Sequence, residues 1–208
     1  MKYKPSTKTE LQELVKDESV YLGDIDTSLI TDMSNLFDRS NVYRRDFSGI
    51  ESWDVSNVTD MGYMFCLCMD FNYPLDSWDV SNVTNMENMF VMCFEFNQPL
   101  ESWDVSKVEY MSSMFGRCEK FNRPLSSWNV SSVLDMGGMF AGCKSFNQSI
   151  EIPNSVTNCS GMFYGCTSMK SNVYCTKKQF KKLGLTKYKW ENGVAKYSSL
   201  FEKIFLNK

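Results

Sequence analysis

Four tryptophans, Trp53, Trp78, Trp103 and Trp128, stand 25 residues apart, and the residues around them repeat with them. The block Trp78-Asp79-Val80-Ser81-Asn82-Val83 returns in close variants at 53–58, 103–108 and 128–133, without insertions between copies. Ladders run in the same register: Met61, Met86, Met111, Met136; Met64, Met89, Met114, Met139; Phe65, Phe90, Phe115, Phe140; Cys68, Cys93, Cys118, Cys143; and Phe71, Phe96, Phe121, Phe146. A unit this short cannot bury its own apolar residues. Copies must stack, each fixed position burying itself against the same position of its neighbours.

The repeats divide the chain. A degenerate copy at 33–52 shows in Met33, Leu36, Phe37, Phe47 and Ile50, full copies occupy 53–77, 78–102, 103–127 and 128–150, and a short copy occupies 151–169. In the short copy Val156, Cys159, Met162, Phe163 and Cys166 lie 23 residues after their counterparts. This pattern predicts a repeat solenoid, each 23–25-residue repeat supplying one short parallel strand and one short helical turn. The Val-x-x-Met-x-x-Met-Phe run has helical spacing, and Leu-x-x-Trp-x-Val has strand composition, with Pro74, Pro99 and Pro124 just before it. The asparagines Asn72, Asn97, Asn122 and Asn147 are expected to cap backbone groups at the turn into that strand.

Both ends read as caps. Residues 1–32 form an N-terminal helical cap, since Thr7-Lys8-Thr9-Glu10 has capping-box spacing ahead of Leu11, Leu14 and Val15 and predicts a helix over about 8–16. Residues 170–208 form a basic, aromatic C-terminal cap: a short amphipathic helix from Thr176 ends at Gly184, followed by Tyr188, Trp190, Tyr197, Leu200, Phe201, Ile204 and Phe205.

The short copy resembles the unit of BspA-type leucine-rich repeats, through Ile152-Pro153-Asn154-Ser155-Val156, Met162-Phe163-Tyr164-Gly165-Cys166 and Met169. The full copies resemble the related 25-residue Trp/Met repeats of mycoplasma and other bacterial surface lipoproteins. That resemblance implies a leucine-rich-repeat-like, right-handed coil used for protein binding or adhesion, and it implies no catalytic residues.

Composition narrows the chemistry. The chain of 208 residues has no histidine, which removes serine–histidine and cysteine–histidine catalysis and histidine-ligated metals. Its 8 cysteines and 14 methionines are mostly ladder positions, so they read as packing and not as a metal or redox centre; no cofactor and no metal is expected. The net charge of −3 conceals an asymmetry: residues 1–169 carry 12 Lys/Arg against 23 Asp/Glu, and residues 170–208 carry 10 Lys against Glu191 and Glu202. The lysine-rich stretch 177–189 with Tyr188 and Trp190 has the residue types of a nucleic-acid binder, but the acidic body opposes phosphate, so nucleic acid is not expected as a partner. No apolar run approaches the ~20 residues of a membrane span, and the start Met1-Lys2-Tyr3-Lys4-Pro5 leads into polar sequence. The chain therefore reads as cytoplasmic, and as a cell-surface protein only if a leader has been removed.

Two surfaces stand out. Asp54, Asp79 and Asp104, with Asp76 and Glu101 nearby, fall between inward-facing Trp and Val and are expected to form an outward acidic stripe. The second surface lies where the repeats differ. Leu67 and Met69 of the first full copy and Val91, Met92 and Phe94 of the second flank the column cysteine, where later copies carry Gly116, Arg117, Glu119, Gly142 and Lys144. With Tyr63 they form a candidate partner surface, open to another protein or to self-association, unless the N-terminal segment or the loop 38–49 folds over it. The resulting expectation is a non-enzymatic scaffold for protein–protein interaction. Its alternatives are an adhesin-like module, if exported, and a carboxylate-dependent glycosidase, for which nothing singles out one acid and one base.

Overall fold

The computed structural model describes residues 1–198, so Leu200, Phe201, Ile204 and Phe205 of the expected C-terminal cap lie outside the described residues. Helix α1 (Lys8–Lys16) opens the chain, capped by Thr7, whose side chain accepts from the Glu10 amide. Short 3-10 turns follow at Leu22–Asp24 and Ile50–Ser52. Strand β1 (Ile150–Glu151) pairs in parallel with β2 (Val173–Tyr174). Helix α2 (Lys177–Phe180) carries a complete capping box between Thr176 and Gln179. The hairpin of β3 (Tyr188–Glu191) and β4 (Val194–Tyr197) completes a mixed sheet of order β1-β2-β4-β3.

This architecture overturns the expected leucine-rich-repeat-like solenoid with a strand and a helical turn in every repeat. Among the described residues both helices lie outside the repeats, the one sheet is small and mixed and sits toward the C-terminal end, and residues 33–149 are turns, isolated bridges and irregular backbone apart from one 3-10 turn. The amide donors show why. Along 61–68 they alternate: Met61, Tyr63, Phe65 and Leu67 donate to the carbonyls of Asn85, Glu87, Met89 and Val91 in the next copy, at 2.9, 2.8, 2.9 and 2.9 Å. The intervening Met64, Cys66 and Cys68 close local turns on Met61, Tyr63 and Phe65, at 3.2, 3.0 and 3.0 Å. A helix needs every donor to go back within the segment, and a strand needs extended backbone. Here four of the eight donors go to the next copy, three close local turns and the Gly62 amide donates to Asp60 Oδ1 at 2.8 Å, while the left-handed φ of Tyr63 (60°) and Leu67 (64°) breaks any helical run.

The expected strand fails for a related reason. Trp78 and Val83 close turns on the carbonyls of Leu75 and Val80, at 3.1 and 2.9 Å, and side chains capture the adjoining amides before a strand ladder can form. The one parallel bridge in each copy runs Asp32, Asp60, Asn85, Tyr110, Asp135, Asn158.

Between these turns the core is columnar. Phe37, Phe65, Phe90, Phe115, Phe140 and Phe163 stack along the repeats with centroids 5.5, 5.5, 5.8, 5.7 and 5.8 Å apart and rings within 8° of parallel. Phe71, Phe96, Phe121 and Phe146 form a second column at 5.9, 6.0 and 6.2 Å. The columns touch within each copy at 4.1 to 4.2 Å. Beside them the asparagine column acts between copies: the Asn72, Asn97 and Asn122 Oδ1 atoms accept from the amides of Asn97, Asn122 and Asn147, at 2.9, 3.0 and 2.9 Å.

The cysteine column carries a second role besides filling space. The Sγ–H groups of Cys68, Cys93, Cys118, Cys143 and Cys166 donate to the carbonyls of Phe37, Phe65, Phe90, Phe115 and Phe140, at 3.2, 3.0, 3.0, 2.9 and 3.0 Å. All eight cysteines are free thiols. Burial pushes Cys68 and Cys166 up to about 12 from the ordinary 9.0, and raises Cys93, Cys118 and Cys143 as well. Between pH 9 and 12 an unfolded chain loses thiol protons that the folded chain keeps, so stability falls as pH rises through that window and is unaffected by these thiols below it. Two results are expected: a urea midpoint that drops above pH 9, and column thiols that react with a disulfide reagent only in denaturant. Reaction of the native protein at the rate of free cysteine would contradict the burial.

Candidate interaction surface

The six apolar residues that differ between copies lie at adjacent levels of the stack. Leu67 donates its amide to Val91, one level on, while Tyr63 and Met92 donate theirs to Glu87 and Gly116, at 2.8 and 2.7 Å. The Met69 carbonyl accepts from Glu95 at 3.3 Å, and that of Phe94 from Lys120 at 3.2 Å, which puts these two on successive levels of the next strip. Tyr63 and Met69 are exposed, each by 38%, and Leu67, Val91, Met92 and Phe94 are half-buried. The Arg117 guanidinium lies over the Phe94 ring at 5.9 Å, covering part of the far end.

Neither candidate cover closes over Tyr63 and Met69. Loop 38–49 turns Val42, Arg44 and Phe47 inward, Arg44 reaching back to the end of α1 and the segment after it, and meets the edge of the surface through Arg39, whose guanidinium lies 3.9 Å from the Asp70 carboxylate. The N-terminal copy stacks edge-on, with Asn35, Phe37 and Arg39 donating to the carbonyls of Gly62, Met64 and Cys66.

Residue type, not backbone conformation, separates this surface from the same positions elsewhere: Asn35, Asn88, Ser113 and Arg117 share the left-handed conformation, with φ of 58°, 55°, 52° and 61°. Tyr63, Leu67 and Met92 sit in the left-handed region, with φ of 60°, 64° and 63°. Gly138, Gly142, Gly161 and Gly165 occupy the corresponding positions of the last two copies, with φ of 63°, 78°, 63° and 76°. A side chain with a Cβ costs roughly 1–2 kcal/mol there, a cost that glycine does not carry.

The acidic stripe proves to be turn chemistry. Asp54 Oδ1 accepts from the Ser56 amide and hydroxyl, at 3.0 and 2.7 Å, and Asp79 and Asp104 accept from the Ser81 and Ser106 amides, at 3.1 and 3.0 Å. Hydrogen bonds from the Ser81 and Ser106 side chains, and then from their amides, hold the Asp79 and Asp104 carboxyls below the usual carboxylate range; for Asp79, Lys107 adds to the lowering and Asp104 opposes it. Asp76 and Glu101 are tied in through their backbone: their carbonyls accept from the Ser102 and Ser127 hydroxyls, both at 2.8 Å. The column is exposed, and each aspartate closes a turn instead of punctuating a strand. Among the described residues no three His, Cys, Asp or Glu are grouped to hold a metal ion, and no helix is long and apolar enough to cross a membrane.

Two features escape a reading of the repeat alone. Arg44 has no signature in the pattern, because its partners are carbonyls of distant residues. The other is a cavity of about 180 Å³ beside Trp128, whose signal is an absence: Pro153 stands 25 residues beyond Trp128, where the ladder asks for another tryptophan.

No curated protein and no solved structure matches the chain. One family model matches it twice, over residues 9–116 and 92–203, and the overlap of the two matches is what a repeat in constant register produces. Because these matches together run along nearly the whole sequence, the chain belongs to the family described as "Mycoplasma protein of unknown function, DUF285".

Proposed function

We propose that the chain is a non-catalytic repeat scaffold that binds another protein through the face carrying Tyr63, Leu67, Met69, Val91, Met92 and Phe94. The observation that carries this reading is the strain at Tyr63, Leu67 and Met92. Apolar side chains are kept at left-handed positions where other copies of the same turn carry asparagine, serine, arginine or glycine (Asn35, Asn88, Ser113, Arg117, Gly138, Gly142), and none of the three is fully buried. A turn serving only to stack gains nothing from that arrangement, whereas a contact surface does. The likeness of the repeats to those of BspA-type bacterial surface proteins favours display on the cell surface, where the same face would act as an adhesin-like module.

The test compares wild type with Leu67→Glu/Phe94→Glu and with Tyr63→Gly, using a cross-linked or co-purified partner and sedimentation for self-association. The double variant is expected to fold and to lose capture. Tyr63→Gly is expected to weaken capture while raising stability by about 1 kcal/mol, since it relieves the left-handed strain. A folded double variant that captures its partner and self-associates as wild type does would reject this face.

A further inference from the structure

We infer that the cavity beside Trp128 is a binding site for a small planar aromatic molecule bearing a ring N–H, of the indole class. The repeat builds the same contact four times. The indole Nε1–H of Trp53, Trp78, Trp103 and Trp128 donates to the carbonyl of Leu22, Ile50, Leu75 and Leu100, at 2.9, 3.1, 2.8 and 2.9 Å. All four of these carbonyls, Leu22, Ile50, Leu75 and Leu100, also accept the backbone amide three residues on, at 3.1, 3.1, 3.1 and 3.2 Å. Leu125 is the next carbonyl in the series. It accepts the Trp128 amide at 3.1 Å and, among the described residues, no indole.

The short copy explains the gap. Pro153 stands where the 25-residue register calls for tryptophan, and β1 and β2 close the stack instead. What remains is the cavity of about 180 Å³, walled by Leu125, Trp128, Val130 and three methionines, Met136, Met139 and Met162, and lined on its polar side by Ser126, Ser149, Glu151 and Tyr174. Apolar cavities of about 150 Å³ hold benzene-sized guests, so this one has room for a single bicyclic ring and no attached backbone. Three methionines in its wall favour an aromatic occupant, because thioether sulfur packs well against ring edges. The occupant comes from outside the described chain: the four ladder indoles are engaged as above, and Trp190 Nε1 donates to the Cys175 carbonyl at 3.0 Å.

Calorimetric titration of the 208-residue protein with indole, and with indene as a probe of the same shape that lacks the N–H, tests the site. Indole is expected to bind and indene to bind about tenfold more weakly, the effect of one hydrogen bond to a half-used carbonyl. Val130→Phe, which fills the cavity from a half-buried position, is expected to abolish indole binding with the thermal transition retained. No binding of indole up to its solubility, equal binding of indole and indene, or unchanged indole binding by Val130→Phe would each overturn the proposal. Tighter binding of N-acetyltryptophanamide than of indole would overturn it too, by assigning the cavity to a partner protein's side chain.

Discussion

Phe115→Ala is expected to lower the stability of the folded protein by about 3–5 kcal/mol, a large part of the ~5–15 kcal/mol typical of a whole domain. Phe115 is fully buried at the middle of the stack, with five aromatic rings around it: Phe121 at 4.1 Å, Phe140 at 5.7 Å, Phe90 at 5.8 Å, Trp128 at 6.3 Å and Phe96 at 6.4 Å. Truncation removes its contacts with both columns at once. Neighbouring copies are tied by backbone hydrogen bonds on either side of the gap, so they have little freedom to collapse into it. Phe163, at the end of the column, has ring contacts among the described residues with Phe140 and Phe146 alone, at 5.8 and 6.4 Å, and its truncation is expected to cost less. Urea unfolding of the two variants measures the difference; equal losses would mean that the columns do not act as a continuous stack.

The second large effect is expected at Arg44. Its guanidinium, 5% exposed, donates to four carbonyls: Asp46 at 2.6 Å, Val15 at 3.3 Å, Asp17 at 3.1 Å and Val20 at 2.6 Å. Three of these belong to the end of α1 and the segment after it, where carbonyls have no partner within the helix. Burial disfavours the charged form, while Asp46, Glu18 and Asp17 compensate from nearby. Arg44→Met keeps most of the volume but strands those acceptors, and is expected to cost about 3 kcal/mol. Arg44→Lys should recover only part of that, because one ammonium cannot span four acceptors with the planar geometry of a guanidinium. Hydrogen exchange in α1 should quicken in both variants. An Arg44→Met protein as stable as wild type, with α1 amides equally protected, would show that the loop does not hold the helix.

These two residues mark the boundary of what could be read before folding. Phe115 belongs to a column visible as a 25-residue period, and its burial follows from the inability of so short a unit to bury its own apolar side chains. Arg44 belongs to no period, and its partners lie 24 to 29 residues away along the chain, apart from Asp46. The candidate surface lies between these cases. Its members were legible as departures from the repeat, but the left-handed backbone under Tyr63, Leu67 and Met92 was not, because only the glycines of later copies hint at it. The C-terminal cap carries a local signal of its own: Asn192-Gly193, with φ of 46° and 86°, forms a two-residue hairpin turn between β3 and β4.

By itself the sequence determined which residues of the repeats are buried, because hydrophobic burial depends on composition and period, and the period is unbroken for four copies. It did not determine the backbone that buries them. Helical spacing and strand composition both describe where side chains point, and a chain of turns can meet those demands equally well. The choice was made by hydrogen bonds between copies 23–28 residues apart, which take half the amide donors of each apolar run and leave too few for a helix. Those partners exist only once the copies are stacked, so tertiary structure alone could decide them.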